Sequence, residues 1–177
     1  VTAKTAKIGE KITVRRFVRY DAENGYVDSY IHMGGKVGVL VKAECEVNDT
    51  VKEVLHDVSL QIAAASPVAA EYISRDQVNP EHLQHETDIL AAQARNEGKP
   101  EKIIDKMVQG RIQKFYKEVC LLEQVFVKDG ETPVGKMIEQ RAPGTKIVAF
   151  TRYKMGDGLE KKVNDLAAEV AEQIGKK

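Results

Sequence analysis

A chain of 177 residues is long enough for one fair-sized domain or two small ones, and its 42% hydrophobic and 31% charged content is globular rather than disordered. The 27 basic side chains balance 27 acidic ones, so the basic excess of a nucleic-acid binder is missing. No run approaches the ~20 apolar residues needed to span a bilayer, and no charged-then-apolar leader opens the sequence.

Ile12-Thr-Val-Arg-Arg-Phe-Val-Arg-Tyr20 is β-branched and aromatic, with Ile12, Val14 and Val18 alternating with polar residues, and predicts a strand. Asp21 to Gly25 is polar turn chemistry. Two further strands follow, over Tyr26 to His32 and Lys36 to Lys42. Gly34-Gly35 lies between them and permits the positive φ of a tight hairpin, so the two are expected to pair antiparallel. From Asn48 to Ala65 the period changes, and Val51, Val54, Leu55, Val58 and Ile62 share one helical face. Thr50 and Glu53 have capping-box spacing, with Asn48 or Asp49 as other candidate caps, and Pro67 ends the helix.

Asn79-Pro80-Glu81 opens another helix, with Asn as cap, Pro in the first turn and an acid against the dipole. Leu83, Thr87, Leu90 and Ala94 follow at 4-3-4 spacing. Asn96-Glu-Gly-Lys-Pro100 stops the helix and restarts it, and Val108, Ile112, Phe115, Val119 and Leu122 repeat at 4-3-4-3. Two heptad-spaced helices joined by such a turn are expected to fold back as an antiparallel hairpin. Thr132 to Arg141 reads as a short helix, Lys146 to Tyr153 as a strand, and Leu159 to Ile174 as a final amphipathic helix. Phe17-Val-Arg-Tyr20 and Phe150-Thr-Arg-Tyr153 share the pattern Phe-x-Arg-Tyr, as two related subdomains ending on the same kind of strand would.

Catalytic chemistry has no foothold in this sequence. It carries no Gly-x-Ser-x-Gly, no phosphate loop and no His-Glu-x-x-His. His82, His85 and Glu86 lie within one helical turn without a further ligand and read as a solvated helix start. Cys45 and Cys120, outside any Cys-x-x-Cys, fit a reducing compartment and small buried apolar roles. Arg15 and Arg19 share one face of the predicted strand and Arg16 the other, so they form no continuous phosphate-binding groove. His32 and Met33 stand at the hairpin tip, exposed by position, where partner contacts are commonly made. A first residue of Val rather than Met points to a piece or processed product of a longer protein.

Tyr30-Ile-His-Met-Gly-Gly-Lys-Val-Gly-Val-Leu40 resembles a recurring element of the elongation factor Ts family, the nucleotide-exchange factors of bacterial-type translation. Four other stretches are similar to the same family, in the same order. They are Ile8 to Phe17, Asp57 to Ala65, Asn96 to Arg111, and Gly156 to Lys162 followed by the helix Asp165 to Ile174. Two features of the family are absent, its N-terminal helical module and its Thr-Asp-Phe-Val element. Cys45 is followed here by Glu-Val-Asn-Asp-Thr50. In the family that element intrudes on the GTPase near its magnesium site and drives nucleotide out.

The resemblance implies an α+β fold: a three-stranded antiparallel sheet backed by helices, a projecting antiparallel helical hairpin and a C-terminal helix. The expected division is a core subdomain over 1–78 and 123–155, a helical hairpin over 79–122 and a C-terminal module over 156–177. The implied partner is the GTPase elongation factor Tu, in a cytoplasm or an organellar stroma or matrix, with no cofactor, no metal and no direct nucleotide binding. The residues implied to contact it are Tyr30, His32, Met33, Gly34, Gly35 and Lys36 at the hairpin, and Asp165, Leu166, Glu169 and Val170 on the terminal helix. Two other readings stand beside this one: a structural or dimerisation module acting through the helical hairpin, and RNA binding through the strand of Arg15 and Arg19.

Overall fold

The computed structural model of the chain describes residues 1–159. The expected terminal helix, apart from Leu159, lies outside them. Thr2–Ile8 forms a short helix, α1, closed by Gly9 in the left-handed conformation. The sequence pattern had not flagged it. Three strands then make one antiparallel sheet: β1 over Gly25–His32, β2 over Val37–Glu44 and β3 over Lys146–Lys154, with β2 in the centre. Gly25 opens β1 at φ 155, and a Cβ there would stand 2.0 Å from the Ala43 carbonyl oxygen, so only glycine fits this start of the ladder.

The α+β architecture and its three-stranded sheet are as the sequence implied, but the expected strand over 12–20 is not one of the three. That segment has no regular structure and joins no ladder among the described residues. Its side chains hold it along β3 instead. Arg15 donates to the carbonyls of Asp157 and Gly158, Arg16 lies over the Tyr153 ring at 4.9 Å, and the Tyr20 hydroxyl meets Thr151 Oγ1 at 2.7 Å. Phe17 is 85% exposed. Strand-forming side chains do not make a strand without a partner backbone and a face to bury, and neither is present for this segment among the described residues.

On β2 the inward row Val37, Val39, Val41 and Ala43 is buried, while Gly38, Leu40 and Lys42 alternate to the other face. Helix α2, Asp49–Ala64, packs against this row through Val51, Val54, Leu55, Val58 and Ile62. Asn48 caps it by accepting from the Val51 amide at 2.9 Å. Full burial of each such side chain contributes about 1.5–3 kcal/mol. Helix α5, Val134–Arg141, closes the same core with Met137 and Ile138.

Helices α3, Pro80–Asn96, and α4, Glu101–Val119, run antiparallel and bury two small cores of their own. Leu90 and Ala94 meet Ile104, Val108 and Ile112 near the turn. At the root, Leu83 sits with Phe115, Val119 and Cys120. Burial pushes the Cys120 thiol up to about 11. His82 engages Tyr72 at 2.8 Å and packs edge-on against Phe115. Among the described residues no helix is long and apolar enough to cross a membrane.

Two buried polar nodes lock the chain returning from this helix pair onto α2. Gln61 and Gln124, both fully buried, bond to each other at 3.1 Å. Gln124 Nε2 also donates to the carbonyls of Val68 and Glu118, and Gln61 accepts from the Val127 amide. In the second node Asp57 of α2 receives Lys128 and Arg141. Burial pushes its carboxyl up, but the hydrogen bonds and charges of Lys128 and Arg141 outweigh that and hold it below the usual carboxylate range.

Gln124→Leu strands the Val68 and Glu118 carbonyls and removes one of the two acceptors of Gln61 Nε2, and is expected to cost about 3 kcal/mol in urea denaturation. Asp57→Asn is expected to cost about 2 kcal/mol near neutral pH. A depressed carboxyl stabilises the fold above its unfolded pKa of about 4 and loses that contribution as pH falls through the folded value. The stability difference between Asp57→Asn and the parent therefore shrinks toward zero as the medium is acidified below about pH 4, as denaturation midpoints across a pH series will report.

Candidate partner-binding surface

Pairing runs Tyr30 with Val39, Ile31 with Gly38 and His32 with Val37, so β1 and β2 stay in register up to the connection. The connection then spends three successive residues in the left-handed region: Met33 at φ 51, Gly34 at φ 63 and Gly35 at φ 94. Glycine adopts this region freely, whereas methionine pays about 1–2 kcal/mol for it. Lys36 returns to right-handed geometry, and its amide reaches back to the Met33 carbonyl at 3.4 Å. The Lys36 carbonyl accepts from the Met155 amide at 2.7 Å, which ties the hairpin end to the turn that follows β3.

The strained methionine is 62% exposed and Ile31 68% exposed. Met155, at the same end of the sheet, is exposed as well. Gly38, opposite Ile31 on the outer face, offers no side chain to cover it; a Cβ there would sit 3.5 Å from Ile31 Cδ1. Uncovered apolar side chains on a rigid turn are the usual composition of a docking surface.

Tyr26, Asp28, Tyr30 and His32 share the inward parity of β1. The Tyr30 hydroxyl meets His32 Nδ1 at 3.1 Å, with the two rings 5.6 Å apart. On its other side Tyr30 receives the ring of His56 from α2, edge-on at 5.4 Å and 87°. His56 Nδ1 stands 3.4 Å from Asp28 Oδ2. Asp28 is only 8% exposed, and this oxygen accepts no hydrogen bond within the described residues.

The structure thus brings Tyr30, His32, Met33, Gly34, Gly35 and Lys36 together at one end of the sheet. Asp165, Leu166, Glu169 and Val170 lie outside the described residues. Sequence reasoning missed Asp28 and His56. Asp28 had a signal, since it shares the parity of Tyr30 and His32, but nothing in the sequence sets the register of α2 against β1.

This hairpin end belongs to Tyr30 to Leu40, the stretch that carried the family resemblance. A family model described as "Elongation factor TS" matches residues 1–157. The chain belongs to the elongation factor Ts family. It is 48% identical to "Elongation factor Ts" of Clostridium botulinum (strain Eklund 17B / Type B) over 99% of its own length and 59% of that protein's. It is also 48% identical to the same-named protein of Halothermothrix orenii, over 97% of this chain and 56% of the relative. For the Clostridium kluyveri (strain NBRC 12016) protein the identity is 45%, over 96% and 56%. The chain therefore spans less than two-thirds of the length of these relatives of the elongation factor Ts family.

Met33→Gly relieves the left-handed methionine and is expected to stabilise the fold by about 1 kcal/mol. Gly34→Ala, in open space at φ 63, is expected to destabilise it by a similar amount. Chemical denaturation of the two variants beside the parent measures both.

Proposed function

We propose that this chain is a docking module for the GTPase elongation factor Tu and supports guanine-nucleotide exchange during translation elongation in a bacterial-type cytoplasm. The observation that carries the reading is the Met33-Gly34-Gly35 turn, strained, exposed and fixed to both neighbouring strands, in a chain of this family. Tyr30, His32, Met33, Gly34, Gly35 and Lys36 form one contact. Asp165, Leu166, Glu169 and Val170 supply a second through the terminal helix. The module acts by binding, with no catalytic centre, cofactor or nucleotide site of its own.

An exchange factor accelerates release by binding the nucleotide-free GTPase better than the loaded one, and the coupling is reciprocal. The Thr-Asp-Phe-Val element, which distinguishes these states in the family, has no counterpart after β2, where the chain reads Cys45-Glu-Val-Asn-Asp-Thr50. The 177-residue chain is therefore expected to bind elongation factor Tu while releasing labelled GDP at close to the spontaneous rate. Calorimetry and a fluorescent-GDP chase test the two halves separately. No binding in either nucleotide state sinks the docking reading, and release as fast as with a full-length relative sinks the division of labour. His32→Ala is expected to weaken binding about fivefold, the worth of one hydrogen bond.

Ile89 of α3 and Ile103 of α4 are exposed, which favours a second reading, self-association through the helix pair. Light scattering over a concentration series distinguishes it. A stable dimer indifferent to elongation factor Tu selects the dimerisation module.

A further inference from the structure

His32 has one ring nitrogen committed and one free. Nδ1 is engaged by the Tyr30 hydroxyl, and Nε2 has no partner among the described residues. A neutral imidazole carries a single proton, so whatever fixes the role of Nδ1 fixes the role of Nε2. A phenol is a stronger acid than an imidazole N–H and is the better donor of the two. The Tyr30 O–H therefore donates to Nδ1, and the proton of the ring sits on Nε2.

That arrangement holds only while the phenol stays beneath His32, and the structure shows what holds it. Tyr30 lies between two histidine rings, His32 on its own strand and His56 on α2. The edge-on geometry with His56 is a favourable aromatic arrangement and blocks rotation of the tyrosine ring toward the helix. His56 is itself half-exposed, and a half-exposed side chain on a helix is not fixed by packing alone. Asp28 supplies the missing constraint: its buried Oδ2, which accepts no hydrogen bond among the described residues, lies 3.4 Å from His56 Nδ1. A buried carboxylate oxygen without a hydrogen bond is costly, which favours the His56 orientation that brings Nδ1 to it.

We propose that Asp28, His56 and Tyr30 form a positioning relay that presents His32 as an Nε2–H donor to an acceptor, a carbonyl or carboxylate oxygen, on the docked partner. The proposal rests on the docking reading for its partner but not for its geometry. Within the hairpin contact, half-buried Tyr30 joins Asp28 and His56 in positioning His32, and His32 is the group that meets the acceptor.

Two measurements test it. The first uses the free chain at about pH 8, where an ordinary imidazole is neutral. Long-range nitrogen–proton spectra of the histidine rings are expected to show His32 in the Nε2–H form. Tyr30→Phe should convert it to a mixture of tautomers, and so should His56→Ala. His56→Phe, which keeps an aromatic edge but gives up the Asp28 contact, should recover the parent signature only in part. An Nδ1–H form in the parent, or no change of the His32 signals in Tyr30→Phe or His56→Ala, overturns the relay.

The second measurement is affinity for elongation factor Tu. Tyr30→Phe is expected to weaken it about fivefold and His56→Ala about threefold. Neither should add to the loss already caused by His32→Ala, because both act through that ring. Losses that simply multiply with His32→Ala overturn the proposal. If the parent chain does not bind at all, the docking reading falls, and the spectra of the free chain still judge the relay.

Discussion

The contact between the inward row of β2 and the apolar face of α2 sets where everything else stands. Val39 and Val41 meet Val54, Leu55 and Val58 in the centre of the core. With β2 pinned on one face, the ladders to β1 and β3 fix both neighbours, and the β1–β2 connection has a single place to be. The exposed turn at Met33 to Gly35 is therefore rigid because of residues on the opposite face of the sheet from Ile31. A shift of one residue in β2 would turn its valines to solvent and put Gly38, Leu40 and Lys42 against α2.

The polar nodes extend this anchoring beyond the sheet. Gln61 and Gln124 satisfy backbone groups at both ends of the excursion through α3 and α4, so the helix pair can keep its own small cores without disturbing the main one. Asp57 holds α2 to Lys128, ahead of α5, and to Arg141, the last residue of α5. All three residues lie on or beside the helix that backs the hairpin. The Asp28–His56 pair, next along the same helix, carries the constraint to Tyr30 and His32.

The relation between strain and exposure at the turn has a physical logic. A methionine at positive φ costs stability that glycine would not, and its side chain is uncovered. Nothing among the described residues compensates either cost, a condition that fits the proposed role of this side chain in docking. The irregular segment beside β3 is the converse case. Its three arginines and Tyr20 find partners while Phe17 stays bare, and among the described residues it gains no ladder from its strand-like sequence.

Local order was largely legible. Alternation over Tyr26 to His32 and Lys36 to Lys42, with Gly34-Gly35 between them, determined a hairpin, because side-chain parity and positive φ are properties of adjacent residues. The apolar spacing of α2, the Asn79 cap and the heptads of α3 and α4 were equally readable, since one turn of helix contains the whole signal, whereas the α2 cap is Asn48, one of the alternatives, and not the Thr50–Glu53 box. The elongation factor Ts resemblance was carried by such stretches too. Only the tertiary structure decided that residues 12–20 join no strand among the described residues, because a strand is completed by a neighbour that its own sequence does not specify. The same holds for Asp28 with His56, Gln61 with Gln124 and Asp57 with Lys128 and Arg141. Each joins residues 28 to 84 positions apart, and their meeting depends on the register of a helix on a sheet, which no local pattern encodes.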